Sequence, residues 1–172
     1  MKGKIEEYKV KPIGYIRVEG EDPQNMEFFI DIFEQYRTAL KQLDKFSHVM
    51  VFWWFHENDI DEVRNQTIWT TVPPYGEETP ETGIFATRSE FRPNPIAVTT
   101  TAVIEVNEKK GVVKIGGIEA FNGTPVVDLK AYFPISDRVR DCHIAPWLID
   151  WPEWLEDGYT WWQEQGFFEE EM

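Results

Sequence analysis

Two arginines, a serine and an asparagine lie within seven positions of a proline-rich stretch: Arg88, Ser89, Arg92 and Asn94. Pro93 and Pro95 fix the backbone on both sides of the asparagine and exclude a helix there. The stretch therefore predicts a stiff loop that presents an array of hydrogen-bond donors. Guanidinium groups bind carboxylates, phosphates and aromatic faces, so the array suits a ligand with a carboxylate and a polar heteroaromatic base. The alternative is a turn whose arginines pair with some of the 31 acidic side chains.

A second group of polar residues follows an Asn-Gly turn signal. Asp128, Lys130 and Tyr132 occupy alternate positions of a predicted strand and so share one face of it. They are either site residues or a solvent-facing row with an Asp–Lys pair. His48 and His56 bracket an apolar run, and a histidine at a strand end is more often structural than catalytic. No metal-ligand spacing is present.

The elements that must position these residues are short and β-rich. The apolar run at 48–55 predicts a strand covered on both faces. The segment 96–106 alternates and places one apolar set on one face, with Thr100 among them: Ile96, Val98, Ala102, Ile104 and Val106. Further strands are predicted at 10–18, 26–32, 67–74, 112–120 and 126–134, with a short helix at 35–43. Short strands separated by turn signals, with one or two short helices, predict a mainly β fold, a small antiparallel β-barrel.

The C-terminal part of the chain differs from the rest in composition. Five of the eight tryptophans lie beyond residue 146. Trp151, Trp154 and Leu155 have helical spacing, and Gly158 is expected to end that helix. We therefore expect a barrel domain at 1–134 and a Trp-rich extension at 135–172 that packs on the barrel or on a dimer mate.

The bulk composition bounds the function. Of the 172 residues, 31 are acidic and 17 basic, which gives a formal net charge of −14. Such an excess disfavours nonspecific binding of nucleic acids, which are polyanions, unless basic residues cluster locally. A single cysteine, Cys142, fits a reducing compartment. The N-terminus lacks the apolar core of a signal peptide, and the longest apolar run is too short to cross a bilayer. We expect a cytoplasmic protein with neither a membrane span nor a metal.

Three segments, in this order, carry a family resemblance: "FSHVMVFWWFHE", "GIFATRSEFRPNPIA" and "FNGTPVVDLKAYFP". Together they make the chain, over residues 10–134, similar to the TsaA-like (TrmO) family of S-adenosylmethionine-dependent tRNA methyltransferases. Three positions depart from the family's pattern. Ala97 replaces a glycine, Asn122 an aspartate and Ala131 a proline.

The resemblance implies a TsaA-like barrel, a homodimer, and S-adenosyl-L-methionine bound near the subunit interface. The implied reaction is N6-methylation of threonylcarbamoyladenosine next to the tRNA anticodon. By motif, the implied cofactor-binding residues are His56, Arg88, Ser89, Arg92, Asn94, Pro95 and Ile96.

The implied catalytic residues are Asp128, Lys130 and Tyr132, with the aspartate orienting the acceptor or taking its proton. Two alternatives stay open. One is a methyltransferase that acts on a small molecule or a protein, and the other is an S-adenosylmethionine-binding protein without catalysis.

Overall fold

The computed structural model describes residues 8–20, 25–76 and 78–165. Six strands form a closed antiparallel barrel in the spatial order β1-β2-β7-β6-β3-β8. Their bounds are β1 Gly14–Glu19, β2 Glu27–Ile32, β3 His48–Trp54, β6 Ile96–Asn107, β7 Val112–Ile115 and β8 Pro125–Ala131. The mainly β, antiparallel barrel predicted from the sequence is therefore confirmed.

The barrel interior is filled by branched aliphatic side chains from every second strand position. Those that are almost completely buried are Ile16, Ile30, Val49, Val51, Val113 and Val126. In β3, burial alternates, with the outward side chains half-buried. The prediction of a strand covered on both faces is thus only partly met, because its outer face stays partly open.

A glycine marks the point where the barrel closes. Gly14 pairs with Ile32 of β2 on one side and with Val126 of β8 on the other. A Cβ atom there would lie 2.2 Å from the Asp31 carbonyl oxygen. Both neighbouring strands can approach β1 at this residue because it has no side chain.

β6 turns the opposite face inward from the one its apolar pattern suggests. Ala97, Thr99 and Thr101 are buried, whereas Ile96 and Ile104 are 37% and 57% exposed. The reason is the register with β3, in which these three residues lie opposite Trp53, Val51 and Val49. Residues directly opposite in a sheet share a face, so the inward face of β3 fixes that of β6. The apolar set that shares one face in the sequence therefore turns outward at Ile96 and Ile104.

β6 is paired with different neighbouring strands along different parts of its length. This strand pairs with β3 over Ile96–Ala102 but with β7 only from Val103 onward. Within the described ranges, the second edge of β6 has no strand partner along 96–102. β7 ends at Ile115, before Gly116 and Gly117, rather than continuing to residue 120 as predicted. The residues that follow leave the strand path, and the edge of β6 stays available to side chains.

Short helical segments lie between and after the barrel strands. The predicted helix at 35–43 is two 3-10 segments, Glu34–Leu40 and Leu43–Lys45. The region after β3 contains a 3-10 turn at His56–Asn58 and helix α1 at Asp61–Arg64. Helix α2 spans Pro134–Asp137 and follows β8.

Residues 70–83 and 139–172 form a second compact unit. In it, β4 (Thr70–Thr71) pairs with β5 (Thr82–Gly83), so the strand predicted at 67–74 is only two residues long. Helix α3 spans Leu155–Glu164 and runs through Gly158, where an end was predicted. A glycine inside a helix costs only about 1 kcal/mol. Trp161 and Trp162, which lie beyond that glycine, pack against Trp151 with ring centroids 5.2 and 5.1 Å apart.

No helix in the described ranges is long and apolar enough to span a membrane.

Candidate active site

The proline-rich loop has its own internal hydrogen bonds. A 3-10 turn, Ile84–Ala86, starts it, and the buried Thr87 hydroxyl donates to the Ile84 carbonyl at 2.9 Å. The same hydroxyl accepts from the Ser89 amide, and the Ser89 hydroxyl accepts from the Phe91 amide, both at 3.2 Å. Short polar side chains that bind nearby backbone in this way stabilise tight turns. Ser89 thus shapes the loop.

Two carbonyl groups anchor the loop to the barrel. The carbonyl of the buried Pro95 accepts from the Phe55 amide at 2.8 Å, just after β3. The Pro93 carbonyl accepts from Arg64 Nη1 at 2.6 Å. These contacts fix the two prolines that flank Asn94, whose own side chain is exposed. The loop is therefore held at both prolines.

The arginine that reaches the loop is itself held in place. Asp59 accepts from Arg64 Nε at 2.5 Å and from the Trp54 indole at 2.8 Å. The hydrogen bond from Arg64 and, to a lesser extent, that from Trp54 lower the pKa of the Asp59 carboxyl group, although its partial burial opposes this. The Arg64 guanidinium also lies over the Trp54 ring, 5.5 Å from its centroid. We call Asp59, Arg64 and Trp54 the loop clamp.

The two arginines of the loop are not neutralised by acidic side chains. Arg88 is exposed and donates from Nη2 to the Val98 carbonyl on the open edge of β6. Arg92 donates from Nη1 to the Ser89 carbonyl at 3.2 Å. In the part of the chain that the structure describes, neither forms an ion pair. The alternative of a loop whose arginines pair with acidic residues is therefore not what the structure shows.

An open cleft of about 460 Å³ lies between this loop and the free edge of β6. A volume of this order is typical of small-molecule sites. Its lining combines guanidinium groups, aromatic and apolar walls and one carboxylate, from Trp53, Phe55, Thr87, Arg88, Arg92, Ile96, Ala97, Val98, Thr99 and Glu119. Of the residues expected to bind the cofactor, the structure brings Arg88, Arg92 and Ile96 together here. We call this space the arginine cleft.

A second cleft of about 350 Å³ adjoins the first and shares Trp53, Phe55 and Glu119 with it. It contains His56, whose Nε2 lies 3.9 Å from Glu57 Oε1. We call it the histidine cleft. His56, expected among the cofactor-binding residues, thus lines this second cleft and not the arginine cleft.

Glu119 stands between the two clefts and is part of a hydrogen-bonded row. The Thr99 hydroxyl donates to Glu119 Oε2 at 2.7 Å and accepts from the buried Trp53 indole at 3.0 Å. Sequence analysis missed this carboxylate. Its signal was weak: a single acid between Ile118 and Ala120, just after two glycines, in a segment assigned to a regular strand.

Asp128, Lys130 and Tyr132 lie elsewhere. The register between β3 and β8 shifts at Phe52 and Trp53, so that Asp128 lies opposite Phe52 on the outer face. Lys130 Nζ is 2.6 Å from Asp128 Oδ2, and the Tyr132 ring lies 6.3 Å from that of His48. Asp128 also lines a separate cavity of about 310 Å³. Asp128 and Lys130 share the predicted face, Tyr132 lies just beyond the end of β8, and none of the three lines the arginine cleft.

Comparison with known proteins identifies the family. A family model described as the tRNA-methyltransferase O N-terminal domain matches residues 17–138. The chain belongs to this family. The TrmO fold is also seen in a crystal structure of TrmO from Pseudomonas aeruginosa, which is 26% identical with a TM-score of 0.64; the match covers 96% of this chain and 76% of that one.

Relatives within the TrmO family differ in length. An S-adenosyl-L-methionine-binding protein of Archaeoglobus fulgidus is 32% identical over 76% of this chain and 94% of its own length. The tRNA (adenine(37)-N6)-methyltransferase of Escherichia coli is 35% identical over 62% of this chain but only 43% of its own. The chain spans 29% of a second Archaeoglobus fulgidus relative, which is 38% identical over 67% of the chain.

The departures from the TrmO pattern are accommodated locally. Asn122, which replaces the family's aspartate, accepts from the Val18 amide at 3.0 Å through Oδ1. Ala97 is buried opposite Trp53, and Ala131 lies opposite Val49. An amide oxygen can fill the acceptor role of a carboxylate oxygen, so the turn before β8 keeps its tie to β1.

Proposed function

We propose that this protein is an S-adenosyl-L-methionine-dependent methyltransferase and that the arginine cleft binds the cofactor. The observation that carries the proposal is the pair of arginines, Arg88 and Arg92, held on an anchored loop without ion-pair partners in the described part of the chain. A cationic array of this kind fits the carboxylate of the methionine moiety. Phe55 and Ile96 offer aromatic and apolar walls for the adenine ring. The cofactor supplies a methyl group on a reactive sulfonium.

The chain's own residues have simple tasks in such a reaction. They must hold the carboxylate and the base, orient the acceptor nitrogen toward the methyl group, exclude competing water and receive a proton. The loop clamp keeps Pro93 in place beside the arginines. We retain Asp128, Lys130 and Tyr132 as candidates for orienting the acceptor from the outer face of β8. The name of the Archaeoglobus fulgidus relative that is matched over 94% of its length supports cofactor binding.

Calorimetric titration with S-adenosyl-L-methionine and its demethylated product tests this proposal. We expect saturable binding of both by the wild-type protein and weaker binding after Arg88→Ala. No heat and no thermal shift at millimolar ligand would refute it. Binding without transfer to any acceptor would favour the non-catalytic alternative.

We propose tRNA as the acceptor, at the N6 of threonylcarbamoyladenosine beside the anticodon. The support is the name of the Escherichia coli relative together with the family membership. In the described part of the chain, five of the 17 basic residues have acidic partners: Arg17, Lys45, Arg64, Lys114 and Lys130. Because Arg88 and Arg92 are assigned to the cofactor, other basic residues must bind the phosphates, and tRNA affinity should fall as the salt concentration rises.

The test is a methyl-transfer assay with threonylcarbamoylated, unmethylated tRNA at low and moderate salt. A labelled tRNA product whose yield falls as the salt concentration rises is the expected result. A second candidate, transfer to a small molecule or a protein, is favoured by the carboxylates of Glu57, Glu90 and Glu119 that line the two clefts. Cofactor binding without label in tRNA at either salt concentration would select it.

We propose that the protein is a homodimer and acts in the cytoplasm. The apolar residues on the outer face of β6 and β3, among them Ile96, Phe52 and Ile104, are exposed or half-buried, and a dimer contact would remove them from water. Light scattering should give twice the mass of one chain, and the mass of one chain would refute the dimer. Cytoplasmic location is supported by the single cysteine; recovery of the native protein in another cell fraction would contradict it.

A further inference from the structure

We propose that Glu119 accepts the proton that the acceptor nitrogen loses during methyl transfer. This role rests on the proposed methyltransferase function and deepens it. Glu119 is a carboxylate shared by the linings of the arginine cleft and the histidine cleft. With the cofactor in the first cleft, a nucleobase in the second would place its nitrogen next to this carboxylate.

In the hydrogen-bonded row of Trp53, Thr99 and Glu119, the donor and the acceptor of each bond are fixed by chemistry. An indole N–H is only a donor, so the Thr99 oxygen must accept from Trp53. The hydroxyl proton of Thr99 therefore points to Glu119 Oε2, at 2.7 Å. This bond requires a lone pair on the carboxylate and holds the group toward the clefts. Among the described residues, Oε1 has no hydrogen-bond partner, so one oxygen of Glu119 is available to a bound molecule.

The reaction needs such a group, because the acceptor nitrogen carries a hydrogen. As the nitrogen–carbon bond forms, the carbon–sulfur bond breaks and its electron pair stays on sulfur, leaving a neutral thioether. The nitrogen would keep a positive charge unless its N–H bond also breaks. Its proton passes to Glu119 Oε1 and later to water, which regenerates the carboxylate. General-base assistance of this kind is typically worth a factor of about 10²–10⁴ in rate.

Asp128, the other carboxylate considered for this task, is less well placed. Lys130 Nζ lies 2.6 Å from its Oδ2, and the Leu129 amide donates to its Oδ1 at 2.9 Å. Both oxygens therefore have partners, and the residue lines neither of the two clefts that contain Glu119.

The test compares Glu119→Gln with Asp128→Asn and with Glu105→Gln, an acid-to-amide control at an exposed position of β6. Two readouts are measured: binding of S-adenosylhomocysteine by calorimetry, and single-turnover methyl transfer to threonylcarbamoylated tRNA as a function of pH. We expect Glu119→Gln to bind the ligand within about twofold of wild type, to transfer at least about 100-fold more slowly, and to lose the acidic limb of the pH–rate profile. Glu105→Gln should match wild type in both readouts.

Two results would overturn the role of Glu119 while leaving the proposed function intact. One is transfer by Glu119→Gln at the wild-type rate. The other is a loss of S-adenosylhomocysteine binding of tenfold or more, which would show that Glu119 holds the cofactor's hydroxyl groups instead. A wild-type protein that binds no cofactor, or transfers no methyl group to any acceptor, would refute the proposed function and the role of Glu119 with it.

A second variant covers the case in which the glutamine variant does not fold. Glu119→Ala leaves space for formate, which can act as the missing base. We expect added formate to restore transfer by Glu119→Ala at least tenfold and to leave Asp128→Ala unchanged. Rescue of neither variant, or of Asp128→Ala alone, would overturn the assignment.

Discussion

The loop clamp predicts that an arginine outside the cleft controls cofactor affinity. Arg64→Ala removes a charged donor from the Pro93 carbonyl, 2.6 Å away, and such bonds are worth about 1.5–3 kcal/mol. It also removes an ion pair with Asp59 whose side chains are 31% and 32% exposed, which adds at most about 1 kcal/mol. Removing these contacts should destabilise the ordered loop by about 2 kcal/mol. Cofactor binding must then supply this free energy to order the loop. Affinity should therefore fall by about 30-fold, since about 1.4 kcal/mol corresponds to a factor of ten.

Arg17 offers a matched control on the barrel. Its Nε lies 2.7 Å from Asp31 Oδ2, its guanidinium lies 4.3 Å from the Phe29 ring centroid, and its side chain is 34% exposed. Arg17→Ala thus removes a similar ion pair and a similar ring contact without touching the loop. Both substitutions should lower the thermal unfolding temperature. Only Arg64→Ala should weaken the binding of S-adenosylhomocysteine in a calorimetric titration. Equal effects of the two variants on affinity, or no effect of Arg64→Ala, would refute the clamp.

Three other substitutions test the site. Arg88→Ala should weaken cofactor binding by about 1.5–3 kcal/mol in a titration, while a surface role would change affinity by nothing and stability by about 0–1 kcal/mol. Asp59→Asn should lower stability at neutral pH: the folded-state pKa of Asp59 is lowered, so its contribution is present above the unfolded pKa of about 3.9 and is lost as pH falls through the folded value. A difference from wild type in urea unfolding that does not shrink as pH falls below about 3.9 would contradict this. Thr99→Val should lower the free energy of unfolding by about 1–3 kcal/mol in the same assay, because it leaves the buried Trp53 indole without an acceptor. An unchanged urea midpoint would contradict the hydrogen-bonded row of Trp53, Thr99 and Glu119.

Local sequence patterns predicted most of the barrel strands, because the turn signals and the runs of β-branched residues indicate the same strand positions. The strands at 26–32 and 48–55 match β2 and β3 closely. β6 was placed correctly, but its sequence did not reveal which face turns inward. The buried Thr99 and Thr101 are polar and are accommodated inside through pairing with β3 and through hydrogen bonds. The sequence of one strand does not show how it is aligned with its neighbour, and this alignment determines which of its side chains turn inward.

The candidate site was predictable only where a motif was compact. The loop at 88–96 carries its own rigid geometry, so its arginines could be proposed from the sequence alone. Glu119 could not, because its role depends on Thr99, which lies 20 residues earlier in the chain, and on Trp53 beyond it. The outer-face placement of Asp128 depends on a register shift against β3. Such a shift cannot be read from the alternation of polar and apolar residues along the strand.

The second compact unit joins an internal segment, 70–83, to the last part of the chain, 139–172. During synthesis, the internal segment leaves the ribosome long before its partner exists, whereas the barrel can close once β8 is available. The order of synthesis therefore places barrel formation first and leaves 70–83, directly before the arginine loop, without its C-terminal partner segment until that segment has been made. Protease digestion of stalled nascent chains should cut within 70–83 while sparing the barrel, and equal protection of both would contradict this order.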